Sequence, residues 1–340
     1  MLLAPDAPAQ RAAFRITALR VLVTAFFLCC SSLLAQPLPA SFSFGLFGDT
    51  PYSKWEREQL PLMLESMDRE GLAFVVHDGD IKSGSSPCSD KVFLDILGVF
   101  RAAPTPLVFV PGDNEWTDCH RSTNGRYDPA ERLRKLRDLF FQGDYALGQG
   151  RLKLTRQSED ARFAEYRENV RWEMGGVLFV GLNLPGSDNN YHGTSRGTGP
   201  VSEFFARGAA NHAWLAEAFA LARRKKLAGV LVVIQGNPEL EAASAGQSKP
   251  GYRHFIEQLR SETLAFAGQV VLVHGDSHVH KIDQPLLDER AQALVSNFTR
   301  VETFGYPFMG WIKGTVDLKD PKVFRFEPRR WQTSGSPQIQ

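Results

Sequence analysis

The sequence predicts an α/β layered fold with a largely parallel central sheet, and three observations carry that reading. Short apolar runs alternate with helical patterns from residue 42 onward. The runs lack polar alternation, as strands covered on both faces do. After residue 293, strands follow one another with no helix between them.

The elements follow in order. FSFGLFG (42–48), LAFVVH (72–77), PLVFVP (106–111), GVLFVGL (176–182), GVLVVIQ (229–235) and QVVLVHG (269–275) read as buried strands rich in Val and Phe. Helices are expected over 54–70, 89–101, 129–140, 209–226 and 251–267. Asp128-Pro129 supplies an N-cap followed by Pro at the first helical position. In NHAWLAEAFALARRKK the apolar residues recur at helical spacing, and the basic residues gather at the C-terminal end, where they suit the helix dipole. ALVSNFTRVETF, FMGWIKGTVDL and KVFRFEP, within 293–328, are expected to form hairpins that complete a second sheet, with residues 328–340 as a polar tail. No repeat or linker divides residues 36–327, which read as one domain.

The 340 residues are 43% apolar, enough for a sizeable core, and that excludes a disordered chain. The net charge of +1 argues against nucleic acid as an obligate partner. Arg11, Arg15 and Arg20 precede the apolar run 21–35, which ends in Ala35. This pattern reads as a secretory signal peptide over residues 1–35, too short for an ordinary membrane span; an uncleaved anchor is the alternative. Cleavage would remove three Arg and one Asp, taking the net charge from +1 to −1. The expected location is periplasmic or secreted, with no stable membrane insertion after cleavage. Of the four Cys, Cys88 and Cys119 remain, both in polar loops, and an oxidising compartment favours a bond between them.

Four expected strands end in Gly-Asp: Gly48-Asp49, Gly79-Asp80, Gly112-Asp113 and Gly275-Asp276; a fifth ends in Gly236-Asn237. Ligands of open α/β sheets bind outside the carboxyl ends of the strands, so these side chains should converge. Two carboxylates about 4 Å apart repel by roughly 4 kcal/mol at an effective dielectric of 20. A gathered set therefore needs protons or a cation. His278 adds a nitrogen donor. Gly-Asp also marks simple turns, but four at successive strand ends favour a metal site.

With these motifs the chain resembles the calcineurin-like metallophosphoesterase family over residues 42–325. The resemblance implies a β-sandwich flanked by helices and a dinuclear metal site. Asp49 in FGDTPY, Asp80 in HDGDIK and His278 in GDSH match the family pattern directly. Asp113 stands for its Asn ligand and Asp276 for a His, while Pro51, Asn114 and Gly236 occupy three further His positions. Asn237 or Gln235 offers a substitute amide oxygen. The expected ligands are thus Asp49, Asp80, Asp113, Asp276 and His278. Such a carboxylate-rich set favours one or two Mn, Mg, Fe or Ca ions ahead of Zn.

The resemblance implies metal-assisted hydrolysis of a small phosphorylated substrate. Asn114 is expected to bond the phosphoryl group without supplying a proton. His192, in the loop SDNNYHGTSRGTG, is a candidate acid, and the same loop could hold phosphate through backbone N–H groups and Arg196; a surface loop with an incidental His is the alternative. His280, two residues beyond His278, would share its side of a strand as a substrate or supporting residue, and His77 would support a ligand from beneath. Tyr52 and Trp116 are candidate pocket walls. Lys82, Arg121 and Arg126 could neutralise a substrate phosphate, but read first as solvated loop charge. A non-catalytic binding protein on the same fold is the rival reading, and nothing in the sequence fixes an oligomeric state.

Overall fold

The computed structural model describes residues 41–195 and 198–332. The leader read in residues 1–35, Arg196 and the last residues of the polar tail lie outside these. No helix among the described residues is long and apolar enough to cross a membrane.

The strands are β1 (Ser41–Phe47), β2 (Val75–His77), β3 (Leu107–Phe109), β4 (Thr155–Arg156), β5 (Val170–Met174), β6 (Val177–Gly181) and β7 (Gly229–Val233), followed by β8 (Gln269–His274), β9 (Lys281–Asp283), β10 (Leu287–Asp288), β11 (Ala293–Leu294), β12 (Phe298–Glu302), β13 (Gly310–Asp317) and β14 (Phe324–Arg330). The helices are α1 (Lys54–Arg69), α2 (Asp90–Ala102), α3 (Pro129–Phe140), α4 (Ser202–Lys225), α5 (Leu240–Ser244) and α6 (Arg253–Leu264). Ser53 caps α1 by accepting from the Glu56 N–H at 3.1 Å, and Asp128 caps α3 by accepting from Glu131 at 2.9 Å. Both caps satisfy donors that the first helical turn leaves open.

The strands form two mixed sheets, in the orders β14-β13-β1-β2-β3 and β4-β5-β6-β7-β8-β12-β9. The parallel strands are therefore divided between the sheets instead of forming one central sheet. β12, expected in a hairpin, lies parallel to β8, pairing Phe298 with Val270 and Glu302 with His274. The loop between β8 and β12 returns the chain to the starting end of the sheet. β14 continues to Arg330, into the segment read as tail.

Alternation of side chains fixes the layers. Val75, Leu107 and Phe109 face α1, α2 and α3, in a cluster with Leu60, Met63, Phe93, Phe100 and Leu136. Their neighbours Phe74, Val76 and Val108 turn the other way, against Phe179, Leu231, Val271 and Val301 of the second sheet. Leu178, Val230, Val232 and Leu272 then cover α4 and α6 through Trp214, Leu215, Phe219 and Leu259. The result is a helix–sheet–sheet–helix sandwich, in which strands buried on both faces are apolar throughout. Cys88 and Cys119 are joined by a disulfide, with 5.7 Å between their α-carbons.

Candidate functional site: a carboxylate cluster at the strand ends

The carboxyl ends of β1, β2, β3 and β8 bring Asp49, Asp80, Asp113 and Asp276 together with His278. Short glycine turns make the approach possible. A Cβ on Gly275 would stand 2.1 Å from Asp49 Oδ2, and one on Gly112 2.1 Å from Asp80 Oδ1. The backbone is also strained here: Asp49, Asp80, Asp276 and His278 all have left-handed φ, at 47°, 62°, 75° and 60°. Left-handed L-residues cost on the order of 1–2 kcal/mol each, less for Asp, and such outliers gather at functional sites.

Each carboxylate has identifiable partners. Asp49 accepts from the Asp276 N–H at 2.9 Å, and its other oxygen faces Tyr52 Oη at 3.3 Å and His278 Nε2 at 3.5 Å. Asp80 Oδ2 accepts from the Tyr52 hydroxyl and the Asn114 amide, each at 2.6 Å, while Oδ1 accepts from the Asn114 N–H at 3.1 Å. Asp276 accepts from the Asn237 N–H at 3.1 Å. Asp113 Oδ2 meets Ser187 Oγ at 2.8 Å; its Oδ1 is buried and has no partner. His278 donates through Nδ1 to the Tyr306 carbonyl at 2.8 Å, so in its neutral form the lone pair lies on Nε2, towards Asp49.

Gathering these acids raises their affinity for protons. Burial, then Asp113, Glu115 and Asp49, holds Asp80 well above the usual carboxylate range. Burial and Asp113 push Asp276 up to about 8. Burial raises Glu115 to about 7; burial and Asp113 raise Asp118 to about 7. Burial lowers His278, but its bond and charge interaction with Asp49 leave it net raised. Tyr52 is driven well above 10 by burial and Asp80, so its phenol keeps its proton.

The remaining expected residues fall differently. Asn114 stands inside the cluster. His192 lies 3.6 Å from Asp188 and bonds none of the clustered carboxylates. His280 donates to the Glu302 carbonyl at 2.8 Å and stacks on Phe304. Strand β9 starts only at Lys281, and the left-handed turn at His278 breaks the alternation that would have put both imidazoles on one side. His77 is buried beneath Asp49, facing the Thr50 carbonyl at 2.9 Å and accepting from the Gly79 N–H; burial lowers it to about 4. Both substitute amides are engaged: Gln235 Oε1 accepts from Gly186 at 2.6 Å, and Asn237 Oδ1 from Glu239 at 2.9 Å. Lys82, read as solvated, is 2% exposed.

The turn after β6 opens the loop that the sequence singled out for His192 and Arg196, but Ser187 was not read as a site residue. Ser187, Asp188, Asn189 and Asn190 are all left-handed, with φ between 52° and 57°. Asp and Asn tolerate this conformation and Ser does not favour it, so the run Ser-Asp-Asn-Asn was the available signal. The turn sets Ser187 Oγ 2.8 Å from both Asp113 and Asp118. Asp118 is held there because the disulfide anchors the next residue, Cys119.

The donors decide what cation fits. Among the described residues no three His, Cys, Asp or Glu side chains stand in a metal-holding arrangement. Tyr52 and Asn114 take both oxygens of Asp80, and the place of a histidine at Gly236 is filled by Pro185 O and Tyr252 Oη, each 2.4 Å from a Cβ there. An imidazole-bound metal pair therefore does not fit. In kind, the carboxylates, the free Asp113 oxygen and His278 Nε2 suit one hard, oxygen-seeking divalent cation.

No family model and no curated protein sequence matches the chain. Similarity lies in three dimensions. A dimetal phosphatase from Danio rerio superposes with a TM-score of 0.52 at 16% identity, covering 85% of this chain and 96% of that one. PhoD superposes with a TM-score of 0.50 at 10% identity, covering 83% of this chain; the chain spans 65% of PhoD. Together with the two-sheet architecture, these likenesses establish that the chain has the calcineurin-like metallophosphoesterase fold.

Proposed function

We propose that the protein is an exported phosphoesterase that hydrolyses a small phosphate ester with the help of a divalent cation. Asp49, Asp113, Asp276 and His278 would hold that ion, joined by Asp80 through an oxygen that Tyr52 and Asn114 would have to yield. The observation that carries the reading is the left-handed backbone at four of these five residues, at the strand ends where the sheets gather their carboxylates. The apolar leader pattern and the Cys88–Cys119 bond support export.

When bound, the cation supplies Lewis-acid polarisation of a phosphoryl oxygen and a water of lowered pKa. The chain's own residues do the rest. Asn114 gives its side-chain amide to Asp80 Oδ2 at 2.6 Å and to the Tyr52 hydroxyl at 2.9 Å, and would bond a phosphoryl oxygen by exchanging the Tyr52 contact for it. Tyr52 keeps its phenolic proton and orders Asp80 and Asp49. Neither candidate acid, His192 or His280, contacts the clustered carboxylates, so the leaving oxygen departs without a histidine to protonate it. Aryl phosphates with acidic leaving groups should therefore turn over much faster than alkyl phosphates.

The test is turnover of p-nitrophenyl phosphate and bis(p-nitrophenyl) phosphate with Mn, Mg or Ca. Asp80→Asn should lower turnover at least 100-fold; activity that survives this change and chelation would refute the proposal. A second reading, a phosphate-binding protein without turnover, draws support from Tyr52 and Asn114 closing on Asp80. Ligand binding with no hydrolysis under every metal would favour it.

A further inference from the structure

Arg121 was read as solvated charge, yet two residues hold it. Its Nη1 pairs with Asp118 at 2.5 Å and its Nη2 donates to Ser187 Oγ at 3.3 Å, while half of its side chain remains exposed. Ser187 in turn bonds Asp113 in the carboxylate cluster. One guanidinium is thus fixed at the edge of the site, on a side chain that stays half exposed.

What holds Ser187 is over-determined. Fully buried Arg207 donates to the Asn183 carbonyl at 3.0 Å and grips Asn189 through its carbonyl at 2.9 Å and its side-chain oxygen at 2.5 Å. Asn189 donates to the Gly251 carbonyl at 2.9 Å, and the Gly251 N–H donates to Asp188 at 2.9 Å. Asn190 bonds Glu203 at 2.7 Å. Four consecutive left-handed residues are kept in place by these contacts, and the one polar side chain they present to Asp113, Asp118 and Arg121 is Ser187. A turn needed only for chain reversal would not require a strained serine at that point.

We propose that Arg121, positioned by Asp118 and Ser187, binds the phosphoryl group of the substrate. A guanidinium fork matches two phosphate oxygens, and its charge offsets the repulsion a phosphate meets from the neighbouring carboxylates. Ser187 is a positioning residue: its hydroxyl fixes the direction of the fork and holds Asp113 Oδ2, leaving Oδ1 free. The inference rests on the phosphoesterase reading for its ligand but not for its test.

Inorganic phosphate is the probe, titrated calorimetrically into the full chain with and without Mn. Arg121→Ala should weaken phosphate binding at least tenfold, and Arg121→Lys should fall between the two, keeping charge without the fork. If turnover is present, Arg121→Ala should raise KM by a larger factor than it lowers kcat. Ser187→Ala and Ser187→Gly both lack the hydroxyl, but glycine accepts the left-handed turn, so Ser187→Gly should melt at the higher temperature. Both should lose phosphate affinity alike; recovery in Ser187→Gly would show that backbone strain alone matters and overturn the role of the hydroxyl. A wild type that binds no phosphate, or an Arg121→Ala variant that binds it as tightly as wild type, overturns the inference. Phosphate binding through Arg121 without hydrolysis overturns the phosphoesterase reading alone, and hydrolysis with an unchanged KM in Arg121→Ala overturns this one alone.

Discussion

Glycine beside aspartate is the smallest unit on which the site depends. A Cβ at Gly48 would meet Asp78 Oδ1 at 1.5 Å, and one at Gly275 would meet Asp49 Oδ2 at 2.1 Å. These glycines let one carboxylate pack over the turn that carries the next. Gly275→Ala should therefore push Asp49 aside, costing about 1–3 kcal/mol in urea unfolding, as overpacking does, and weakening cation uptake. An unchanged midpoint with unchanged uptake would contradict the close approach. The acids themselves were legible in the sequence because Gly-Asp recurs at strand ends. Tyr52 was legible as a pocket wall beside Asp49, but Ser187 and Asp118 were not, since the partners that bring them together lie in loops remote in sequence: Ser187 is 74 residues from Asp113. The same limit applies to Lys82, which is buried with Glu115, Asp118 and Asp113, more than thirty residues on, among the charges that act on it.

Among the elements, strands buried on both faces were readable as apolar runs, and α1, α2 and α3 were readable as helices, the last with its Asp128 cap. Which sheet each strand joins was not. Periodicity records which face of a strand is covered but not which neighbour it pairs with, and β12 is indistinguishable by composition from a hairpin strand. β5 was missed because VRWEM mixes exposed and buried residues in a strand paired antiparallel to both β4 and β6. The loops around the site are braced by the Cys88–Cys119 bond, whose sulfurs both lie against the Asn114 carbonyl. The bond spans 31 residues, and closing a loop of that size should contribute about 3–4 kcal/mol in the chain-entropy account. Reduction, or Cys88→Ser with Cys119→Ser, should lower the melting temperature and loosen Asp113 to Asp118. An unshifted melting curve in dithiothreitol, with two thiols titrating, would contradict that bracing.

For the whole molecule, the acid cluster makes stability depend on pH and on cations together. Asp276, Glu115 and Asp118 hold protons in the folded state up to about 8, 7 and 7, far above their unfolded values. Between those limits the folded state binds more protons than the unfolded one, so stability falls as pH rises. His278, raised by Asp49, acts in the same direction. Buried His77 and His274, held near 4, oppose this below pH 6.5, because there the unfolded chain takes up their protons. The clear window is therefore pH 6.5–8: without divalent cations the melting temperature should fall across it, and Mn should restore it at pH 8. The most direct test of the central claim is calorimetric titration of Mn into chelator-treated protein near pH 7.5. About one equivalent should bind the wild type, with affinity lowered at least 100-fold in Asp80→Asn, as expected for a site of this few carboxylates. No uptake by the wild type, or equal uptake by Asp80→Asn, would contradict a cation held at the strand ends.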